Sequence, residues 1–180
     1  PVPVGAKYGI ASKSPMTGFI GDSLSGSWFS IALKRAGWDG LVIHGASDKW
    51  VNVFIDDDRV EFRDATKLMG LDTFQTEEAI REQLADDQVR SATIGPCGEN
   101  GVRFANVTND GRQAGRTGHG AVWGSKKLKA LSIRGTQGIK VADPETLMKL
   151  SFDITKEAQG PHTVKYRVLG TTTNVLNMNK

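Results

Sequence analysis

Residues 23–47 read SLSGSWFSIALKRAGWDGLVIHGAS, and residues 116–137 read RTGHGAVWGSKKLKALSIRGTQ. Each run opens in a glycine-rich loop, passes through a short helix carrying Leu-Lys, and ends in a short strand closing on glycine. In the first run, residues 28–36 place apolar side chains at helical spacing and Gly37 supplies the stop. The two runs lie about 90 residues apart, which is how a duplicated supersecondary unit shows in a sequence. Loop–helix–strand units are common in mixed domains, so the pattern leaves duplication and coincidence both open. If it is a duplication, it builds two related half-sites that face each other.

Working outward, residues 7–13 alternate as a strand does and stop at Ser14-Pro15, before a Ser/Gly-rich loop that runs to Trp28. Residues 40–45 read as a short apolar strand. Residues 50–55 and 60–62 flank Asp56-Asp57-Asp58-Arg59, a hairpin turn. Residues 76–84 are amphipathic, with Glu77 and Glu78 expected as acids in the first helical turn. Residues 89–94 and 102–107 read as strands, the first broken by Gly95-Pro96. Residues 109–120 (NDGRQAGRTGHG) read as a second glycine-rich loop, before a helix near 121–128 and a strand over 130–133. Asp143-Pro144-Glu145 predicts a helix start, with Asp as N-cap and Pro in the first turn, running to about residue 158. Residues 163–180 give no firm pattern.

Composition narrows the function. Of 180 residues 21 are glycine, well above the roughly 7% average. Lys and Arg number 23 against 20 Asp and Glu, and a net charge of +3 argues neither for nucleic acid nor for an anionic membrane. Hydrophobic content of 38% excludes wholesale disorder. No apolar run approaches the roughly 18 residues of a membrane span. Cys97 alone closes no disulfide and no cysteine-based metal site within the chain, so the reducing cytoplasm is the expected compartment. The chain opens on Pro1-Val-Pro-Val and ends on Asn177-Met-Asn-Lys180, and is expected to be a piece of a longer polypeptide without a signal peptide.

Backbone N–H groups at a helix N-terminus bind anions, and glycine lets them approach a phosphate closely. The second loop adds Arg112 and Arg116, whose planar forks match phosphate oxygens. It therefore reads as a phosphate or pterin-type cradle, with a structural turn bearing solvated arginines as the bland reading. Neither a Walker loop nor a dinucleotide GxGxxG is present. His44 is expected to be structural and His162 exposed; His119 either approaches a ligand from the loop or is structural, and none sits at metal spacing. The Asp56–Asp58 run reads as a solvated turn rather than a calcium loop. The four tryptophans are expected in core or interface.

Four ordered motifs are more specific than any one of these: SKSPMTGF (12–19), LKRAGWDGLVIHG (33–45), IGPCGENGVRFANVTNDGR (94–112) and AGRTGHGAVWGSKKLKAL (114–131). Together they resemble the N-terminal domain of the tungsten-containing aldehyde:ferredoxin oxidoreductase family over about residues 3–143, and more loosely to the end. The resemblance implies an α+β fold of two mainly antiparallel sheets with short helices related by a pseudo-twofold. Residues 1–142 would form the tungsto-bispterin-binding domain, incomplete at its start, and 143–180 would begin a helical domain. Two pterin dithiolenes would hold tungsten, with magnesium joining their phosphates through the backbone carbonyls of Leu24 and Gln113. Lys7 and Arg112 fall where the family has pterin-contacting arginines, and Lys7 keeps the charge without the fork. Ser25, Gly26, Ala114, Gly115, Arg116 and Gly118 complete the implied cofactor cradle.

Departures mark a divergent member: Leu24 for a usual Asn, Ser27 for Gly, Cys97 for Ala, and His119 for a small apolar residue. The 4Fe-4S ligands, the acid–base residues and the substrate channel would lie outside this chain. The implied reaction is oxidation of an aldehyde to a carboxylic acid, with electrons passing to ferredoxin or an iron–sulfur subunit within a homo- or hetero-oligomer. Two other readings are a tungsten benzoyl-CoA reductase subunit acting on an aryl-CoA, and a non-catalytic phosphate-binding scaffold.

Overall fold

The computed structural model describes residues 5–179, so the opening Pro1-Val-Pro-Val run lies outside the described residues. Residues 6–139 pack as one unit, and the chain from Lys140 onward belongs to a second. In the first unit, β1 (Lys7–Lys13) and β2 (Ile20–Gly26) form a two-stranded antiparallel sheet, followed by helix α1 (Trp28–Arg35). Ser27 caps α1 by accepting the Phe29 N–H at 3.0 Å. The Tyr8 ring packs on Phe29 with centroids 4.9 Å apart.

A six-stranded sheet follows in the order β4-β3-β8-β5-β6-β7. Its strands are β3 (Val51–Asp56), β4 (Arg59–Asp64), β5 (Arg90–Thr93), β6 (Val107–Asn109), β7 (Arg112–Ala114) and β8 (Leu128–Arg134). Every neighbouring pair is antiparallel except β3–β8. Strand β8 sits among the others and is buried from Leu128 to Ile133. Successive side chains of a strand point to opposite faces. Leu131 and Ile133 accordingly join Phe29 and Ala32 of α1 in one core cluster, while Ala130 joins Phe54, Val89 and Ile80 in another. Ile80 belongs to α2 (Thr73–Leu84), whose N-cap Asp72 forms a capping box with Gln75. Two short helices, α3 (Pro96–Glu99) and α4 (His119–Ser125), complete the unit.

The α+β class and the two sheets stand as expected, but several elements differ. Strand β2 lies inside the stretch read as a Ser/Gly loop, and β7 inside the second glycine-rich loop. Residues 40–45 form no strand, and of 102–107 only Val107 pairs. The second Leu-Lys, Leu128-Lys129, is in β8 rather than in a helix. What recurs is therefore hairpin then helix, β1–β2–α1 and β6–β7–α4. Helix α2 starts three residues earlier than its pattern suggested, because Asp72 caps it; this leaves its first turn without acids and turns Glu77 inward.

In the second unit, α5 (Pro144–Ala158) is capped by Asp143, which accepts the Thr146 N–H at 3.0 Å, as its Asp-Pro start predicted. Helices α6 (Val164–Val168) and α7 (Asn174–Met178) follow. Among the described residues, no helix is long and apolar enough to cross a membrane.

Lys129 is the largest fully buried side chain. Its ammonium donates to the carbonyls of Leu71 (3.0 Å) and Ile94 (2.7 Å) and to Glu99 Oε1 (2.5 Å). The Glu99 carboxylate also accepts the Gly70 N–H at 3.1 and 3.2 Å. Removing one partner of such a pair strands a buried charge, which costs roughly 3–5 kcal/mol. Lys129→Met should show that loss in denaturant unfolding of the full-length protein, and adding Glu99→Gln should recover much of it. A neutral Lys129→Met would mean the pair does not hold β8 to its neighbours.

Candidate functional site

Strands β2 and β7 are edge strands of their two sheets, and they lie side by side. Side chains rather than a backbone ladder join them. The Arg116 N–H donates to Ser23 Oγ at 3.2 Å, and Asn109 accepts from Ser25 Oγ at 3.1 Å. A Cβ added at Gly21 would sit 2.6 Å from Thr117 Cβ, so the two backbones approach here because Gly21 has no side chain. Unladdered edges leave backbone N–H and C=O groups available to something else.

The expected site residues distribute along this seam. Leu24, Ser25 and Gly26 are on β2, and Arg112, Gln113 and Ala114 are on β7. Gly115 to Gly118 connect β7 to α4. Leu24 and Gln113, the two carbonyl positions, are therefore on facing edges. Lys7 pairs with Gly26 across the hairpin. The register places Lys7, Leu24 and Gly26 on the outward face, and Ser25 on the buried face with Tyr8. Lys7, Arg112 and Arg116 are exposed, and among the described residues none has an ion-pair partner. Carbonyl edges beside exposed cations suit a divalent ion bridging phosphate groups.

Two residues of the second loop do other work. Gly118 is buried with φ +79°, and a Cβ there would fall 1.9 Å from the Arg103 carbonyl oxygen. Only glycine fits, and the reason is backbone packing rather than access for a ligand. His119 is fully buried. Its Nδ1 is 2.8 Å from Ser12 Oγ and its Nε2 2.8 Å from Thr117 Oγ1, so both ring nitrogens are engaged. Burial pushes its pKa down, with Asp22 opposing. It pins β1 to the loop, as the structural reading of this histidine expects. Elsewhere His44 and His162 are exposed, and Asp57 accepts the Thr136 N–H at 2.8 Å within a turn. Trp28 is exposed while Trp123 is buried.

The sequence reading missed the polar cluster beneath the β6–β7 turn. Asn109 is fully buried, and Tyr8 donates its hydroxyl proton to the same Asn109 oxygen that Ser25 reaches. The turn itself uses Asp110 at φ +45° and Gly111 at φ +70°. Such a pair of left-handed residues makes the tight hairpin turn that Asp-Gly favours, and that dipeptide was the available signal. Glu77 of α2 accepts the Asp110 N–H at 3.1 and 3.3 Å and pairs with Arg81 at 3.2 Å.

Burial, then the Asp110 charge, pushes Glu77 up to about 7, and burial pushes Tyr8 up to about 12. Between the ordinary carboxylate value and pH 7, folded Glu77 holds a proton that the unfolded chain has lost. Its contribution to stability is thus present below about pH 4.5 and is lost as pH rises through about 7. Glu77→Gln should therefore raise Tm relative to the parent more at pH 8 than at pH 5. A Tm difference that does not change with pH would place Glu77 at an ordinary carboxylate value.

A family model described as aldehyde ferredoxin oxidoreductase, N-terminal domain, matches residues 1–135. The tungsten-containing aldehyde ferredoxin oxidoreductase of Thermococcus kodakarensis is 48% identical over 147 residues, covering 81% of this chain and 24% of that protein. An aliphatic sulfonate oxidoreductase, WOR-like subunit, of Pyrococcus furiosus is 35% identical over 167 residues, 85% of this chain and 27% of its own length. Among solved structures, the active site complex BamBC of benzoyl coenzyme A reductase, in complex with 1,5 dienoyl-CoA, superposes with a TM-score of 0.86 at 34% identity, covering 88% of this chain and 24% of that one. The chain spans about a quarter of the length of these relatives. On the four ordered motifs, the hairpin–helix fold and these matches, the chain belongs to the aldehyde ferredoxin oxidoreductase N-terminal domain family.

Proposed function

We propose that the β2–β7 seam holds a tungsten–bispterin group, and that the chain is the cofactor-binding part of an oxidoreductase converting aldehydes to carboxylic acids. The observation that carries this reading is the pair of facing sheet edges lined by Lys7, Arg112 and Arg116, cations without ion-pair partners among the described residues. In the overall reaction an aldehyde and water give the acid, two protons and two electrons. The metal–pterin group supplies the redox chemistry when bound. This chain's residues bind and orient it: Arg112 and Arg116 at phosphate oxygens, Lys7 as a point charge, and the Leu24 and Gln113 carbonyls at a magnesium ion. Ser25, Gly26, Ala114 and Gly115 shape the backbone around it, and Gly118 packs the loop behind them on the Arg103 backbone. In this reading, residues up to 142 form the cofactor domain and residues from 143 begin a helical one. A 4Fe-4S cluster outside the chain passes electrons to ferredoxin or an iron–sulfur subunit, in a cytoplasmic oligomer.

The benzoyl-CoA reductase structure favours a second reading, ring reduction of an aryl-CoA on the same cradle. Turnover of aldehydes against benzoyl-CoA by the full-length protein separates the two.

Arg112→Ala in the full-length protein should weaken cofactor binding about 10- to 150-fold, the worth of roughly 1.5–3 kcal/mol for a charge-assisted pair. At limiting tungstate it should lower tungsten per chain while circular dichroism stays unchanged. Arg112→Lys should recover part of the loss, because charge returns without the fork. Full tungsten content in Arg112→Ala removes Arg112 from the site, and a parent protein without tungsten is a scaffold.

A further inference from the structure

We propose that Asn109 is a positioning residue that locks the two halves of the cradle to each other, so that cofactor affinity depends on side chains that never touch the cofactor. This rests on the reading that the β2 and β7 edges hold one group between them. Asn109 ends β6 and is the cross-strand partner of Arg112. It is wholly inaccessible to solvent. Its carboxamide oxygen accepts from the hydroxyls of Tyr8 on β1 and Ser25 on β2, the latter at 3.1 Å. Its amide nitrogen donates to Ser27 Oγ, the same oxygen that caps α1 through the Phe29 N–H at 3.0 Å. One neutral side chain therefore reaches both strands and the helix cap of the first hairpin from a position directly opposite Arg112.

A neutral amide suits this place. Two hydroxyl donors converge on its oxygen, while its nitrogen donates to a hydroxyl that also accepts the Phe29 N–H. A carboxylate could take the first two bonds and accept a third from the Ser27 hydroxyl, but it would add charge beside Asp110 and Glu77. On the other side, the Asp110 N–H is held by Glu77, so the turn following Asn109 is fixed from α2 as well. The Arg112 edge can then shift relative to the Leu24 edge only by breaking buried hydrogen bonds, which are expensive to leave unmade. A preorganised cradle does not have to order two hairpins when it binds.

Tyr8→Phe deletes one arm of the lock without altering any cradle residue or the second hairpin. Hydrogen exchange should be measured on the full-length protein expressed without tungstate, and tungsten per chain at limiting tungstate. Exchange across residues 107–117 should rise roughly two- to tenfold, the effect of one lost buried hydrogen bond transmitted across the seam. Tungsten content should fall in the same variant. Asn109→Ala, if it folds, should exceed both effects. Faster exchange confined to residues 7–27 overturns the lock. Faster exchange across 107–117 with full tungsten content leaves Asn109 a purely structural residue, and overturns its positioning role. A parent protein that takes up no tungsten instead overturns the cofactor reading itself, whatever Tyr8→Phe does to exchange.

Discussion

A hairpin of two strands is marginal in water by itself, and β1–β2 shares no ladder with the six-stranded sheet. That constraint organises the rest. Without a backbone ladder to the main sheet, the hairpin is tied to its neighbours by polar side chains: Ser23 to the Arg116 amide, Ser12 to His119, and Tyr8 and Ser25 to Asn109. Packing of Tyr8 on Phe29 adds an apolar anchor. The seam stays open as a pair of edges because its fastening lies in side chains beneath it.

The same constraint explains why β2 was hidden in the sequence. A strand is usually recognised by apolar residues facing in and polar ones facing out. In β2 the buried positions are Gly21, Ser23 and Ser25, while Ile20 and Leu24 face outward. The period of two is present but inverted, so the stretch reads as a Ser/Gly loop. Residues 40–45 fail in the opposite direction. Their apolar run suggests a strand, yet no neighbouring strand pairs with them, and Val42 is 82% exposed. Hydrophobic pattern identifies what could be buried, whereas pairing depends on a partner elsewhere in the chain. By contrast, β3–β4 and α5 were plain from local signals, a turn of aspartates and an Asp-Pro cap.

At the site, the ordered motifs carry a resemblance whose expected residues fall on both edges, Leu24 to Gly26 on β2 and Arg112 to Ala114 on β7. They did not show which glycines serve packing, as Gly118 does. Nor did they show Asn109 or Glu77, whose roles come from partners many residues away. A buried amide surrounded by serines and a tyrosine has no periodicity to betray it. The capping box that begins α2 at Thr73 moved Glu77 from the exposed first turn to the interior. A shift of three residues at one helix end thereby changed an ordinary surface acid into a group titrating near neutrality.

The strand order β4-β3-β8-β5-β6-β7 also bears on how the chain is made. Strands β3 and β4 are complete by Asp64, and β5, β6 and β7 by Ala114, but β3 and β5 have no ladder to each other until β8, Leu128–Arg134, enters between them. Synthesis at about 5–20 residues per second leaves the β3–β4 half with an open inner edge for roughly 4–14 seconds and the β5–β6–β7 half for roughly 1–4 seconds, and open edges are templates for wrong partners. The last strand of this sheet to emerge is thus the one that joins its two halves, and until then each half carries an unpaired inner edge.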